Sequence, residues 1–143
     1  MATTSSRIAG VDYGSRRVGI ALADPLRLFA RPVGTYAPGD ALEVLARMVR
    51  EEGVSLVVVG LPLLEDGSEG EAVKRVRPFV GRLKKAAGVQ VVFQDERDSS
   101  TRAMEDLVEA GVPQGRRREK GTLDAAAACV ILQDWLDEQG EVG

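Results

Sequence analysis

The sequence of 143 residues contains no histidine and a single cysteine, Cys129. Without histidine the chain cannot form a Ser-His-Asp triad, a Cys-His pair or an HExxH zinc site. A lone cysteine excludes an internal disulfide and a cysteine-based zinc cluster, and its apolar neighbours predict a small buried thiol. Any activation of water near neutral pH therefore depends on a carboxylate, a lysine or a bound metal ion.

Long apolar runs and an excess of positive charge are also missing. No run approaches the ~20 apolar residues that span a bilayer, and "MATTSS" at the N-terminus lacks the apolar core of a signal peptide. We therefore expect a cytoplasmic protein with a disordered tail over residues 1–6 and a single domain over residues 7–140. The net charge of −3 excludes a global positive field for nucleic acid, and the aromatic content of 4% argues against base stacking as the main contact.

Basic residues are nevertheless concentrated in two segments, "KRVRPFVGRLKK" (74–85) and "GRRREK" (115–120). A basic run on a helix is often only a solvated face, so the first segment is compatible with either a solvated surface or a binding surface. The second segment is predicted to be a loop, where helix propensity does not account for its charge. It is therefore the stronger candidate for a phosphate contact.

The order of the predicted elements is βββαβαβαα. Strands are predicted at 7–13, 18–24, 26–36, 54–60 and 89–94, the last two as buried strands. Helices are predicted at 41–52, with Asp40 as N-cap and Gly53 as its end, and at 69–86, with a Ser68–Glu71 capping box and Gly88 as its end. Two more helices are predicted at 99–110 and at 122–140, the last with Gly140 as its end. This order predicts an α/β, ribonuclease H-like fold: a mixed five-stranded sheet with an antiparallel three-strand meander, parallel crossovers and helices on both faces.

Three carboxylates stand out by their positions in these elements. Asp12 interrupts the first apolar strand, Glu96 follows the strand at 89–94, and Asp124 lies in the first turn of the last helix. The helix dipole favours an acid at the position of Asp124, and acids are common in loops such as the one that contains Glu96. Neither residue therefore needs a function to explain its presence. Asp12 is harder to explain, because a buried unpaired carboxylate costs several kcal/mol. In the predicted fold the three acids converge, and two divalent ions ~3.5–4 Å apart would compensate their repulsion.

Small residues surround these acids. Gly10, Gly14 and Gly19 keep side chains away, which predicts that a nucleic-acid backbone approaches there. The four alanines at 125–128 predict that the last helix lies close to the sheet, either for packing alone or to bring Asp124 towards Asp12.

Four segments resemble, in order and spacing, the sequence blocks of the YqgF/RuvX family. They are "VDYGSRRVGIALAD", "VVVGLPLLEDGSEG", "FQDERDSSTRA" and "GTLDAAAACVILQDWL", and together they extend over nearly the whole chain. Members of this family are ribonuclease H-like nucleases described as pre-16S rRNA processing enzymes or as Holliday junction resolvase-like proteins. Asp98 and Glu65 depart from the family pattern, which leaves fine substrate preference open.

The resemblance implies a role for particular residues. It makes Asp12, Glu96 and Asp124 the catalytic residues and the ligands of two Mg²⁺ or Mn²⁺ ions. Asp95 remains an alternative to Glu96, because neighbouring strand residues face opposite sides. The basic residues that would then bind nucleic acid are Arg16, Arg17, Arg97, Arg116, Arg117, Arg118 and Lys120.

The function implied is a metal-dependent nuclease that processes the 5′ end of pre-16S rRNA. The alternative is a dimeric Holliday junction resolvase. An ATP-binding relative of actin and sugar kinases would need a second domain, and a binding module without catalysis would not need three acids. The expected partners are structured RNA or branched DNA and a ribosome or pre-ribosomal particle, with no membrane; the chain itself is expected to be a monomer or a weak homodimer.

Overall fold

A five-stranded mixed sheet forms the centre of the computed structural model, which describes residues 6–64, 66–96, 99–117 and 120–142. Of residues 99, 100, 116, 117, 120, 141 and 142 only the backbone is described. The strands are β1 (Arg7–Tyr13), β2 (Val18–Ala23), β3 (Ala30–Tyr36), β4 (Val54–Leu61) and β5 (Gln90–Asp95). The helices are α1 (Pro38–Glu52), α2 (Glu71–Ala87), α3 (Ser99–Glu109), α4 (Gln114–Arg117) and α5 (Lys120–Val142).

The strand order is β3-β2-β1-β4-β5. The first three strands pair antiparallel as a meander, whereas β1, β4 and β5 are parallel and are joined by crossovers that contain helices. This is the ribonuclease H-like arrangement expected from the sequence. Because β1, β4 and β5 run in the same direction, their carboxyl ends lie at one edge of the sheet, which is where open α/β sheets place ligands.

The two sides of β1 contribute to different cores. Ala9 and Val11 pack with α1 and α2, while Ile8 packs with Ile131 and Leu132 of α5 on the opposite face. Since side chains alternate along a strand, Asp12 shares the face of Ile8 and points towards α5. The alternation therefore determines which helix can contribute a partner to Asp12.

Two predicted helix caps are wrong. Helix α1 begins at Pro38 with Ala37 as N-cap, so Asp40 lies in its first turn. Helix α2 begins at Glu71 with Gly70 as N-cap and without a side-chain cap. Within the described part of the chain, the Ser68 hydroxyl donates instead to the Asp66 carboxylate at 2.6 Å, because a turn precedes the helix.

The predicted start of β3, the predicted burial of β5 and the predicted end of α5 are also wrong. β3 begins at Ala30, because the Asp24 carboxylate accepts hydrogen bonds from the backbone of residues 26, 28 and 29 and closes a turn there. β5 is an edge strand whose Phe93 is 37% exposed, not a strand buried on both faces. Helix α5 continues past Gly140 to Val142.

In the described part of the chain, no helix combines the length and the apolar character needed to cross a membrane. The division into a tail at residues 1–6 and a domain at 7–140 stays a prediction, and residues 1–5 lie outside the described residues.

Candidate active site

The carboxyl edge of the sheet brings Asp12 together with Glu96 and Asp124. Asp12 lies in β1 opposite Gly19 of β2, Glu96 directly follows β5, and Asp124 lies in α5. The sequence predicted Asp124 in the first turn of its helix, but α5 begins at Lys120 and Asp124 is one turn further in. The helix dipole, which acts within the first turn, therefore gives a weaker structural explanation for this acid than the sequence suggested.

The pKa of Asp12 shows how closely these acids interact. Burial raises the pKa of this carboxyl group above its ordinary value, a hydrogen bond with the Glu96 side chain opposes the rise, and the nearby Asp124 charge adds to it. A hydrogen bond between two carboxyl groups needs a proton, since ionised carboxylates only accept. Asp12 thus forms one electrostatic cluster with two acids that lie more than eighty positions further along the chain.

Glycines allow this close approach. A Cβ atom at Gly19 would lie 2.1 Å from the backbone oxygen of Asp124, and one at Gly10 would lie 2.6 Å from Cβ of Leu132. A Cβ atom at Gly60 would lie 2.7 Å from Cδ of Glu96. The space at Gly10 and Gly19 is filled by α5, so the prediction that a nucleic-acid backbone approaches at these two glycines is wrong.

Gly60 was not recognised as part of the site from the sequence. Its only sequence signal is that it ends the apolar run "VVVG" at the carboxyl end of β4. The structure shows that a side chain at this position would displace Glu96.

Arg17 forms an ion pair with Asp124. Its Nε atom lies 2.8 Å from Oδ2 of Asp124, and the two side chains are 38% and 25% exposed. The sequence assigned Arg17 to nucleic acid, but in this structure its guanidinium partly compensates the acidic cluster. Arg16, its neighbour in the β1–β2 turn, is exposed to solvent.

The remaining basic candidates are described only in part. Arg97 and Arg118 lie outside the described residues, and of Arg116, Arg117 and Lys120 only the backbone is described. That backbone differs from the predicted loop, because residues 114–117 form α4 and Lys120 begins α5. Asp95 is the last residue of β5 and is exposed, and its role as an alternative to Glu96 stays a prediction.

The donor chemistry of the cluster suits a divalent metal ion. Carboxylate oxygens are the ligands that Mg²⁺ and Mn²⁺ prefer, and three of them converge here. Among the described residues, however, no group of three acidic or cysteine side chains is already arranged to hold an ion. Asp12 and Glu96 share a hydrogen bond and Asp124 is paired with Arg17, so both contacts would have to give way to a cation.

Sequence comparison identifies the family of this chain. The family model described as "RuvX: Holliday junction resolvase" matches residues 6–138. The chain belongs to the RuvX family. A protein of Salinibacter ruber named "Putative pre-16S rRNA nuclease" is 50% identical over 143 residues, which cover 98% of this chain and 100% of the relative. A relative of the same name in Chlorobaculum tepidum is 43% identical over 136 residues, covering 94% of this chain and 96% of the relative.

Solved structures of two resolvases share the fold of this RuvX family member. Thermus thermophilus RuvC in complex with a Holliday junction substrate has a TM-score of 0.56 and 16% identity, covering 94% of this chain and 96% of RuvC. The fowlpox virus resolvase with its substrate Holliday junction DNA has a TM-score of 0.56 and 10% identity, covering 93% of this chain and 98% of the resolvase. At this identity the likeness establishes the ribonuclease H-like fold.

Proposed function

We propose that this protein is a divalent-metal-dependent nuclease that hydrolyses phosphodiester bonds in structured RNA and processes the 5′ end of pre-16S rRNA. The observation that carries the proposal is the convergence of Asp12, Glu96 and Asp124 at one edge of the sheet in a chain without histidine. The names of the Salinibacter and Chlorobaculum relatives support the RNA substrate. A cytoplasmic location and association with a pre-ribosomal particle belong to the same proposal.

The acidic residues and Arg17 would have different roles in such a reaction. Asp12, Glu96 and Asp124 would hold one or two Mg²⁺ or Mn²⁺ ions, which when bound supply water activation and stabilise the leaving oxygen. For both Asp12 and Glu96 to serve as anionic ligands, the proton of their shared hydrogen bond would pass to solvent water. If Asp124 held an ion, Arg17 would be freed from its pairing with Asp124 and could contact a phosphate at the same edge.

Addition of Mg²⁺ or Mn²⁺ should raise the melting temperature of the protein. The raised pKa of Asp12 means that the folded state retains this proton to higher pH than the unfolded chain does. Its contribution to stability is therefore present at acidic pH and lost as the pH rises through the raised pKa, and a bound cation offsets that loss. Binding contributes about 2.7 kcal/mol at roughly 100 times the Kd, or about 5–10 °C measured by differential scanning calorimetry.

Two variants test whether the ion binds at the acidic cluster. In Asp12→Asn the metal-induced increment should be much smaller, whereas in Arg17→Gln it should be larger, because Asp124 no longer has a competing cation. Equal increments in the native protein and both variants would place the ion elsewhere.

The substrate is tested by offering labelled RNA and four-way DNA junctions side by side with Mg²⁺ or Mn²⁺. We expect cleavage of a pre-16S 5′-end RNA, no cleavage after addition of a chelator, and a monomeric protein by light scattering. RNA left intact under all ionic conditions would contradict the proposal.

Holliday junction resolution is the second candidate, because the matching family model carries that description. A resolvase cuts two strands symmetrically and needs a two-fold dimer that presents two sites. A stable dimer that makes paired, symmetric nicks in the junction and leaves RNA whole would favour this candidate over the first.

A further inference from the structure

Helix α2 carries a positively charged surface on the face of the sheet opposite α5. Its apolar side chains, including Val76, Phe79 and Leu83, are buried against the sheet. Six basic side chains are exposed on its other sides, at residues 74, 75, 77, 82, 84 and 85. Lys74 pairs with Glu71 and Arg77 with Glu69. Within the described ranges, Arg75, Arg82, Lys84 and Lys85 have no acidic partner within ion-pair distance.

A groove adjoins this charged surface at the edge of the sheet. It has a volume of about 230 Å³ and lies between α2 and β5, lined by Arg77, Val80, Gly81, Lys84 and Phe93. Phe93 is 37% exposed, and the Arg77 guanidinium carbon lies 5.8 Å from the centre of its ring. An exposed aromatic ring beside cations is a combination on which single-stranded nucleic acids are bound. A base can stack on the ring in place of the guanidinium that now covers it, with phosphates on the cations.

The groove and the acidic cluster lie on opposite faces of the sheet, and both adjoin its β5 edge. A strand that leaves the cluster would therefore reach the groove by passing around the free edge of β5. Phe93 is three positions before Glu96, which corresponds to about 10 Å along a strand. Because β5 is an edge strand, no further strand separates the carboxyl edge from the groove in the described part of the chain. Tyr13, the residue after Asp12, also contacts Phe79 of α2, with ring centroids 4.8 Å apart. The middle of α2 is therefore fixed against the end of β1, on the face of the sheet opposite Asp12.

We propose that the surface formed by Arg75, Arg82, Lys84 and Lys85, together with the Phe93 groove, binds the single-stranded segment of substrate that continues from the scissile phosphate. This inference rests on the proposed nuclease function and adds a second contact area to it. The cations hold the phosphodiester backbone and Phe93 holds a base. The net charge of −3 does not oppose this, because these basic residues are concentrated on the exposed sides of one helix.

The test compares binding of a short and a long single-stranded RNA by fluorescence anisotropy in chelator, which prevents cleavage. An oligonucleotide of ~4 nucleotides occupies the acidic edge alone, whereas one of ~16 nucleotides also reaches α2. In Lys84→Gln/Lys85→Gln we expect the Kd of the long RNA to rise about tenfold. Its salt slope should flatten by about 1.4, because each of two phosphates that the lysines neutralise accounts for ~0.7 of the slope. The Kd of the short RNA and its rate of cleavage with metal should not change.

Phe93→Leu tests the groove separately, because it keeps an apolar side chain and removes the ring. The Kd of the long RNA should rise at least about fivefold, the lower limit for stacking of one base on an aromatic ring, with an unchanged salt slope. The matched control is Arg47→Gln/Arg50→Gln, which removes the same charge from the exposed side of α1. This control should leave the Kd and the salt slope close to native.

Three outcomes would overturn the inference. They are an unchanged Kd of the long RNA in both α2 variants, an equal loss of affinity in the α1 control, and binding of an acidic protein instead of RNA to this surface. Failure of the native protein to bind or cleave any RNA would instead contradict the proposed function. The two failures are therefore distinguishable.

Discussion

Asp12→Asn should abolish cleavage while substrate binding remains within about twofold of native. The substitution removes the Asp12 carboxyl group from the centre of the acidic cluster. This group hydrogen-bonds Glu96 and interacts with the charge of Asp124. A metal ion contributes several kcal/mol to such a reaction, and each 1.36 kcal/mol is tenfold in rate, so a loss of about a hundredfold or more is expected. Single-turnover cleavage of the pre-16S 5′-end RNA measures it.

The Asp12→Asn variant should not lose activity by unfolding. Burial raises the pKa of Asp12, so its ionised form is disfavoured in the folded protein, and a neutral amide of similar shape removes that cost. At neutral pH without metal, its melting temperature should be equal to or above the native value. Glu96→Gln and Asp124→Asn should also abolish cleavage, whereas Glu51→Gln on the exposed side of α1 serves as the control and should cleave normally. Near-native cleavage by Asp12→Asn would contradict the proposed mechanism.

Gly19→Ala should destabilise the protein more than any exposed substitution. The added Cβ atom would lie 2.1 Å from the backbone oxygen and 2.4 Å from the backbone carbon of Asp124, so α5 would have to shift relative to β2. Backbone atoms cannot rotate away as a side chain can, and overpacking of this kind costs about 3 kcal/mol. The melting temperature should fall by about 6–12 °C in a calorimetric scan. Cleavage should fall as well, because the shift carries Asp124 with it.

Gly81→Ala is the matched control for this prediction. Nothing lies within 4 Å of a Cβ atom at Gly81, which is in the interior of α2. Since alanine is favoured over glycine in a helix by about 0.8–1.0 kcal/mol, the same substitution should raise stability here. A Gly19→Ala variant as stable as the native protein would show that α5 does not pack against β2 as closely as the structure indicates.

The sequence by itself predicted the fold, because the spacing of apolar residues distinguishes helices from strands and is a local property. The order of these elements along the chain then indicates the topology. An apolar segment marked β1 and a β-branched apolar run marked β4. Gly53 and Gly88 were correctly predicted to end α1 and α2, where both adopt positive φ. The failure of the predicted capping box was equally local in origin. Ser68 and Glu71 satisfy the spacing of a capping box, but the Ser68 hydroxyl has a nearer acceptor in Asp66, a competition that spacing does not show.

The three acids were also selected from the sequence, since a charge within an apolar strand demands compensation. Which groups compensate it was decided only by the tertiary structure. Arg17 and Asp124 are 107 positions apart and meet because α5 crosses β2 at Gly19, where a side chain would exclude it. The same packing places α5 against Gly10 and Gly19, where the sequence had predicted the approach of a nucleic-acid backbone. Distances between segments depend on how helices pack on the sheet, and this packing is a property of the whole fold that no single segment contains.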